Sequence, residues 1–259
     1  MTLRQTLRLI DIQAKLSLKS DASKYYLGYI WWILEPLLYV FVFYVVFDIV
    51  LERKRADFLV FLMCGKLPFL WFTKSVTQAS SSIVTSAGLI GKANIPKAVF
   101  PLTVIQEGVY RQSAVFAFLL CVVPFYGGHP VTGVWFAIIP VILVLYLMIL
   151  FFGLLGSILV CYIRDISLLI SLGMIFLMFT SGIFWDIRSL PDPAMTDFIL
   201  TYNPMAFLLD AFRQVLMYSE YPDFKLLSTL ALIFIVGIAG DLWLMRKLNS
   251  RLALKALTA

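Results

Sequence analysis

The chain reads as an all-α integral membrane protein, six transmembrane helices preceded by an amphipathic interfacial helix, on three observations. Of its 259 residues, 61% are hydrophobic and 14% charged, against about 45–50% and 25% in soluble globular domains. Mean hydropathy is +0.93. Long apolar runs recur along the chain, and its basic residues gather at their ends. So much apolar surface leaves no polar shell for water, and the bilayer is the solvent that fits.

Residues 3–19 open the chain as an amphipathic helix. Leu3, Leu7, Ile10, Ala14 and Leu18 recur at steps of four, three, four and four, while Arg4, Arg8, Asp11, Lys15 and Lys19 take the other side. A basic helix of this kind ahead of a span predicts a position in the membrane interface plane; a solvated helix packed on a partner is the other reading. The first 28 residues lack the apolar core of a cleavable signal.

Span one is expected over about 27–51, with Trp31 and Trp32 as interfacial aromatics and Pro36 near its start. Span two, about 58–80, meets Lys66 and Pro68 early and turns small and polar over 75–88 (SVTQASSSIVTSAG). That pattern predicts a broken or partly re-entrant helix, tolerated where protein or water satisfies the backbone. Span three, about 101–126, carries Glu107 and Arg111. Span four, about 134–163, has no charge before Arg164 and exceeds the ~30 Å hydrocarbon thickness, so it must tilt or protrude. Spans five and six follow at about 166–185 and 226–245. The segment between them, 186–225, holds Pro191, Pro193, Pro204 and Pro222 and two short amphipathic patterns, too long for an idle loop.

Six spans leave both termini on one side. That side carries Arg4, Arg8, Lys15, Lys19, Lys24, Lys74, Lys92, Lys97, Arg164 and the basic tail from Arg246 to Lys255. The other side has Arg53, Lys54, Arg55, Arg188, Arg213 and Lys225. The bias predicts cytoplasmic termini. It also explains the net charge of +6 without a nucleic-acid partner. Cys64, Cys121 and Cys161 lie singly in apolar runs, so neither a disulfide framework nor a metal site is predicted.

The residues present leave several chemistries without their parts. His129 is the sole histidine, and no G-x-S-x-G elbow occurs. The nearest string to an ATP-binding loop, SAGLIGKA (86–93), lacks its first glycine and its hydroxyl residue. No catalytic residue is assigned. A charge near the bilayer centre costs about 2.5–3.5 kcal/mol on insertion scales, so Lys66, Glu107 and Arg111 should face protein or a water-filled path. Glu107 and Arg111 are also spaced to neutralise each other on one helix face. Tyr39, Phe43 and Phe47 share a face of span one, and Phe176, Phe179 and Trp185 are placed in span five. Such rings suit sugar stacking, and equally suit lipid contact or packing. Lys15, Lys19 and Lys24 are candidates for drawing in an anionic lipid headgroup, beside ordinary positive-inside anchoring.

Four segments in order, LGYIWWILEP (27–36), GLIGKANIPKAVFP (88–101), YIRDI (162–166) and TYNPMAFLLDAFR (201–213), resemble the permease subunits of polysaccharide-exporting ABC transporters, which serve O-antigen, capsule and teichoic-acid export. The resemblance covers nearly the whole chain. It departs at Lys66 and Phe69–Trp71, where the family usually reads Gly-Leu/Ile-Xaa-Pro-Trp. It implies a homodimer in the bacterial inner membrane, bound to two copies of a nucleotide-binding ATPase subunit that carries the ATP and magnesium absent from this chain. It also implies a cytoplasmic coupling segment over 83–97, with Leu89, Ile90, Lys92 and Pro96 at the ATPase contact. Short re-entrant helices on the outer side would occupy 186–225, and spans one and five would line the channel. The implied cargo is a lipid-linked polysaccharide, O-antigen foremost, with capsule and teichoic acid as alternatives. A membrane-embedded glycan or lipid transferase and a passive channel are the readings from other classes.

Overall fold

The computed structural model describes residues 3–46, 57–92 and 95–258, and every regular element among them is helical. In chain order these are α1 (Leu3–Lys24), α2 (Trp31–Tyr44), α3 (Phe58–Thr85), α4 (Ala87–Ile90), α5 (Val99–Gly127), α6 (Ile138–Tyr162), α7 (Ile166–Thr180), α8 (Pro193–Tyr202), α9 (Pro204–Arg213), α10 (Phe224–Lys247) and α11 (Asn249–Thr258). A 3₁₀ turn at Gly133–Ala137 leads into α6, and a π turn at Gln214–Tyr218 continues α9.

Among the described residues, four helices are long and apolar enough to cross a membrane: Phe58–Thr85, Val99–Gly127, Gly133–Tyr162 and Phe224–Lys247. A fifth candidate is the bent pair Arg4–Lys24 plus Gly28–Tyr44, whose halves meet at 102°. The bend sits at Gly28, whose φ of +51° is left-handed and suits glycine. α7 is apolar but has 15 residues, about 22 Å of helix at 1.5 Å per residue. The last part of the expected first span, 47–51, with Phe47 in it, lies outside the described residues.

The centre of the molecule is α3, packed against α5, α6, α9, α2 and α7. The expected break at Lys66–Pro68 does not occur; the helix runs unbroken from Phe58 to Thr85. Pro68 removes one backbone donor, and the helix continues through it where neighbouring helices enclose it; Gln112 of α5 donates to the nearby Leu67 carbonyl at 3.4 Å. The small polar run after Thr73 is a packing surface. Ser80, Ser82 and Thr85 turn their hydroxyls back onto carbonyls of their own helix, and what remains is a smooth flank. Gly153 and Gly156 of α6 press against Ala79 and Ser80, and Gly108 of α5 presses against Ser75. Small residues let backbones approach closely where no water drives helices together.

A Cβ added at Gly156 would lie 2.9 Å from the Ser80 Cβ. Gly156→Val is therefore expected to destabilise the fold by about 1–3 kcal/mol through overpacking. Gly173 has open space around it, so Gly173→Ala should be neutral or mildly stabilising. Thermal unfolding of the detergent-solubilised variants checks both.

The first helix extends past its expected end, to Lys24, and is partnered. Ile10, Ala14, Leu18 and Ala22 form its buried stripe, at steps of four, and the helix packs along α5. Leu7, expected on that stripe, is exposed, as are Ile12 and Leu16 on the far side. The helix thus has an α5-facing stripe and a second apolar flank among Arg8, Lys15 and Lys19, a flank suited to the membrane interface.

Candidate functional sites

Four of the aromatic residues expected along the path fall on two helices, α2 and α7. Tyr39 and Phe43 lie on α2, Tyr39 exposed and Phe43 half-buried. Phe176 and Phe179 lie on α7, both exposed. Trp185 lies beyond α7, because the helix ends at Thr180 rather than at 185. Gly182 ends it, with φ +69°, where a Cβ would lie 2.5 Å from Ile187. Trp185 folds back and donates its indole N–H to the Phe179 carbonyl at 3.1 Å. The ring that joins the two stripes is Phe184, 4.7 Å from Phe43 and 5.8 Å from Phe179 between centroids. A loop residue after a helix has no period to betray it, so sequence reasoning missed Phe184.

Lys66 lies beneath this junction, 3% exposed. Its ammonium sits 4.6 Å over the Phe43 ring, 5.6 Å over Phe69 and 6.0 Å over Phe184, and 3.1 Å from the Met178 sulfur. Ring faces carry negative potential and partly replace the water the cation has lost. Lys66 thus ties α2, α3 and α7 together through soft partners.

The other expected charges converge on a different place. Glu107 and Arg111 do pair on α5, and Arg111 also holds Asp21 of α1 at 2.5 Å. Lys24 bonds Asp21 at 2.7 Å, and Lys74 of α3 bonds Glu35 of α2 at 2.7 Å. Trp32 lies 5.8 Å from the Arg111 guanidinium. Lys15 pairs with Asp11 at 2.8 Å, and Asp11 also accepts from Tyr110. The hydrogen bond from Lys15, ahead of that from Tyr110, holds the Asp11 carboxyl below its ordinary range; Lys24 does the same for Asp21. Two of the three headgroup candidates thus have carboxylates on their own helix, and Lys19 is exposed beside them. Asp21, Lys24, Trp32, Glu35, Lys74, Glu107 and Arg111 border a cleft between α1, α2, α3 and α5, with lobes of about 250 and 300 Å³.

In the expected coupling segment, α4 is one short turn. Leu89 is 44% exposed and Lys92 exposed, whereas Pro96 is half-buried. Ile90 faces inward at 6% exposure, which corrects its expected place on the contact face. It packs with Ile83, Phe100, Leu252 and Ala256, because α11 folds back onto α4. Asn249 at the start of α11 accepts from the Lys97 backbone N–H at 3.1 Å.

Between α7 and α10 the structure holds a network that the sequence concealed. Arg188 makes a two-pronged bond to Asp210, and Gln214 donates to the same carboxylate. Arg213, expected on an outer surface, is 1% exposed. It donates to the carbonyls of Gly182 (2.8 Å), Ile183 (3.1 Å) and Phe61 (3.4 Å), and lies 3.5 Å over the Phe61 ring. The strong amphipathic pattern of 204–213 was the available signal, and it does not say which polar residue turns inward.

A family model described as ABC-2 type transporter matches residues 13–217. An O-antigen export system permease protein RfbA of Klebsiella pneumoniae is 29% identical over 236 residues, covering 87% of this chain and 86% of that protein. A second Klebsiella pneumoniae protein of that name is 28% identical over 236 residues, covering 88% and 86%. One from Myxococcus xanthus is 25% identical over 219 residues, covering 85% and 84%. With a bundle of long apolar helices and a family match over most of its length, the chain belongs to the ABC-2 type transporter membrane family.

Proposed function

We propose that this chain is the membrane permease subunit of an ATP-driven exporter that carries a lipid-linked polysaccharide, O-antigen foremost, across the bacterial inner membrane. The observation that carries the reading is that relatives named O-antigen export permeases align along more than four-fifths of both chains. In this reading α2, the first part of the span expected over about 27–51, and α7 complete six spans behind the interfacial helix α1, both termini are cytoplasmic, and α8 and α9 are short outer-side re-entrant helices. Two copies assemble with two ATPase subunits, which bind ATP and magnesium. The aromatic stripes of α2 and α7, joined at Phe184, support a path for sugars. Rings give weak contacts of about 0.5–1.5 kcal/mol that tolerate any sugar sequence and let a polymer slide.

Removing the chain from its source cell tests the reading. Surface polysaccharide is expected to fall to near zero, while the lipid-linked glycan accumulates on the cytoplasmic side and export returns on re-expression. Unchanged surface polysaccharide would overturn the reading; loss of the glycan itself would favour a transferase. The anchor and the composition of the accumulated glycan together distinguish O-antigen from capsule and teichoic acid.

A further inference from the structure

The cleft between the first helices joins residues that are far apart in the sequence. Its two lobes share Trp32, Glu35, Gln78 and Arg111. One lies just below and the other at the small end of the range for ligand pockets, about 300–1,000 Å³, a size for one ring-sized group rather than a polymer. The lining charges balance: Lys24, Lys74 and Arg111 face Asp21, Glu35 and Glu107, and each cation already rests on a carboxylate. An anion entering here would have to displace those carboxylates and then lie beside them. The cleft is poorly suited to a free phosphate or diphosphate.

What the cleft has left over is of another kind. The carboxylates keep spare acceptor positions, since each has about four and the ion pairs use one or two. Two donors have no partner, the Arg111 Nε–H and the Trp71 indole N–H. Trp71 lines one lobe and is 5% exposed. Both atoms are covered in the free chain, and a buried donor without an acceptor costs about 1–3 kcal/mol, which an oxygen that reaches them would recover. Gln78 is exposed in both lobes and offers a donor and an acceptor. Trp32 adds an aromatic face. A group that both donates and accepts, carries no charge and has an apolar ring face satisfies this set, and a sugar is such a group.

We propose that the cleft between α1, α2, α3 and α5 binds one neutral sugar unit of the carried molecule. The inference rests on the exporter reading, which supplies the sugar; the cleft supplies the selection. The bend at Gly28 brings α1 to the entrance, so a sugar held here also contacts the interfacial helix.

The test uses the full chain in lipid nanodiscs and follows tryptophan fluorescence and the hydrogen exchange of 71–78 and 107–112. The probes are oligosaccharide released by mild acid from the source cell's surface polysaccharide and, separately, inorganic pyrophosphate. The oligosaccharide is expected to give a saturable change at both segments, and pyrophosphate none. Gln78→Ala, at an exposed position, and Trp32→Leu should each weaken the oligosaccharide response about three- to tenfold, the effect of one lost contact. Hydrogen exchange of the unliganded variants, unchanged outside the cleft, excludes misfolding. Saturation by pyrophosphate but not by oligosaccharide would overturn the sugar assignment. So would no response to either, or a response untouched by both substitutions. If chain removal abolishes export but the cleft ignores the saccharide, this inference alone falls; if removal leaves export intact, the exporter reading falls first.

Discussion

Arg213→Ala is expected to cost the fold about 3–5 kcal/mol, the largest single-residue effect predicted for this chain. The guanidinium satisfies carbonyls from two separate places, Phe61 in α3 and the Gly182–Ile183 turn after α7. Alanine would leave the Gly182 and Ile183 carbonyls buried without donors, remove the second donor of the helical Phe61 carbonyl, and open a cavity over the Phe61 ring. Arg213→Lys should recover only part of the loss, because an ammonium on a flexible stem cannot reproduce a planar fork aimed at several acceptors. Gly65→Ala gives an independent check, since its methyl would lie 2.5 Å from the Arg213 Nη2. The readout is the unfolding midpoint in detergent together with the amount of inserted protein. A loss below about 1 kcal/mol for Arg213→Ala would mean that water or another side chain already serves those carbonyls.

Leu89→Asp is expected to reduce co-purification of the ATPase subunit at least about tenfold while leaving the permease folded and inserted. Leu89 is exposed on α4, and its side chain contributes little to the core. A charge there would meet water in the free chain and, if α4 docks on the ATPase as proposed, an apolar contact in the complex. Ile90→Asp provides the contrast: Ile90 belongs to the cluster that joins α4 to α11, so it should lower stability as well as association. Pull-down from detergent extract, with unfolding measured on the same samples, separates the two. Unchanged recovery of the ATPase with Leu89→Asp would remove α4 from the contact.

Helix positions were legible where length and apolarity sufficed. The spans expected at 101–126, 134–163 and 226–245 correspond to Val99–Gly127, Gly133–Tyr162 and Phe224–Lys247. Transfer of a long apolar run out of water is a property of that run alone, so one sequence suffices to see it. The Glu107–Arg111 pair was equally legible, being one helical turn apart. The third member, Asp21, was not, because it lies 90 positions away. Ile90 and Leu89 are adjacent and similar, and nothing local says which of them α11 will cover.

The sequence by itself determined a helical membrane protein, its polar opening helix, its main spans and the absence of an ATP-binding loop. Each follows from composition or from spacing within one segment. Only the tertiary structure decided that Lys66–Pro68 leaves α3 unbroken, that Phe184 joins two aromatic stripes, that Arg213 turns inward, and that charges from four helices close one neutral cleft. Those outcomes depend on which surfaces meet. Inside a bilayer that choice rests on close contact between small residues and on pairing of polar groups. Both are set by partners remote in the chain.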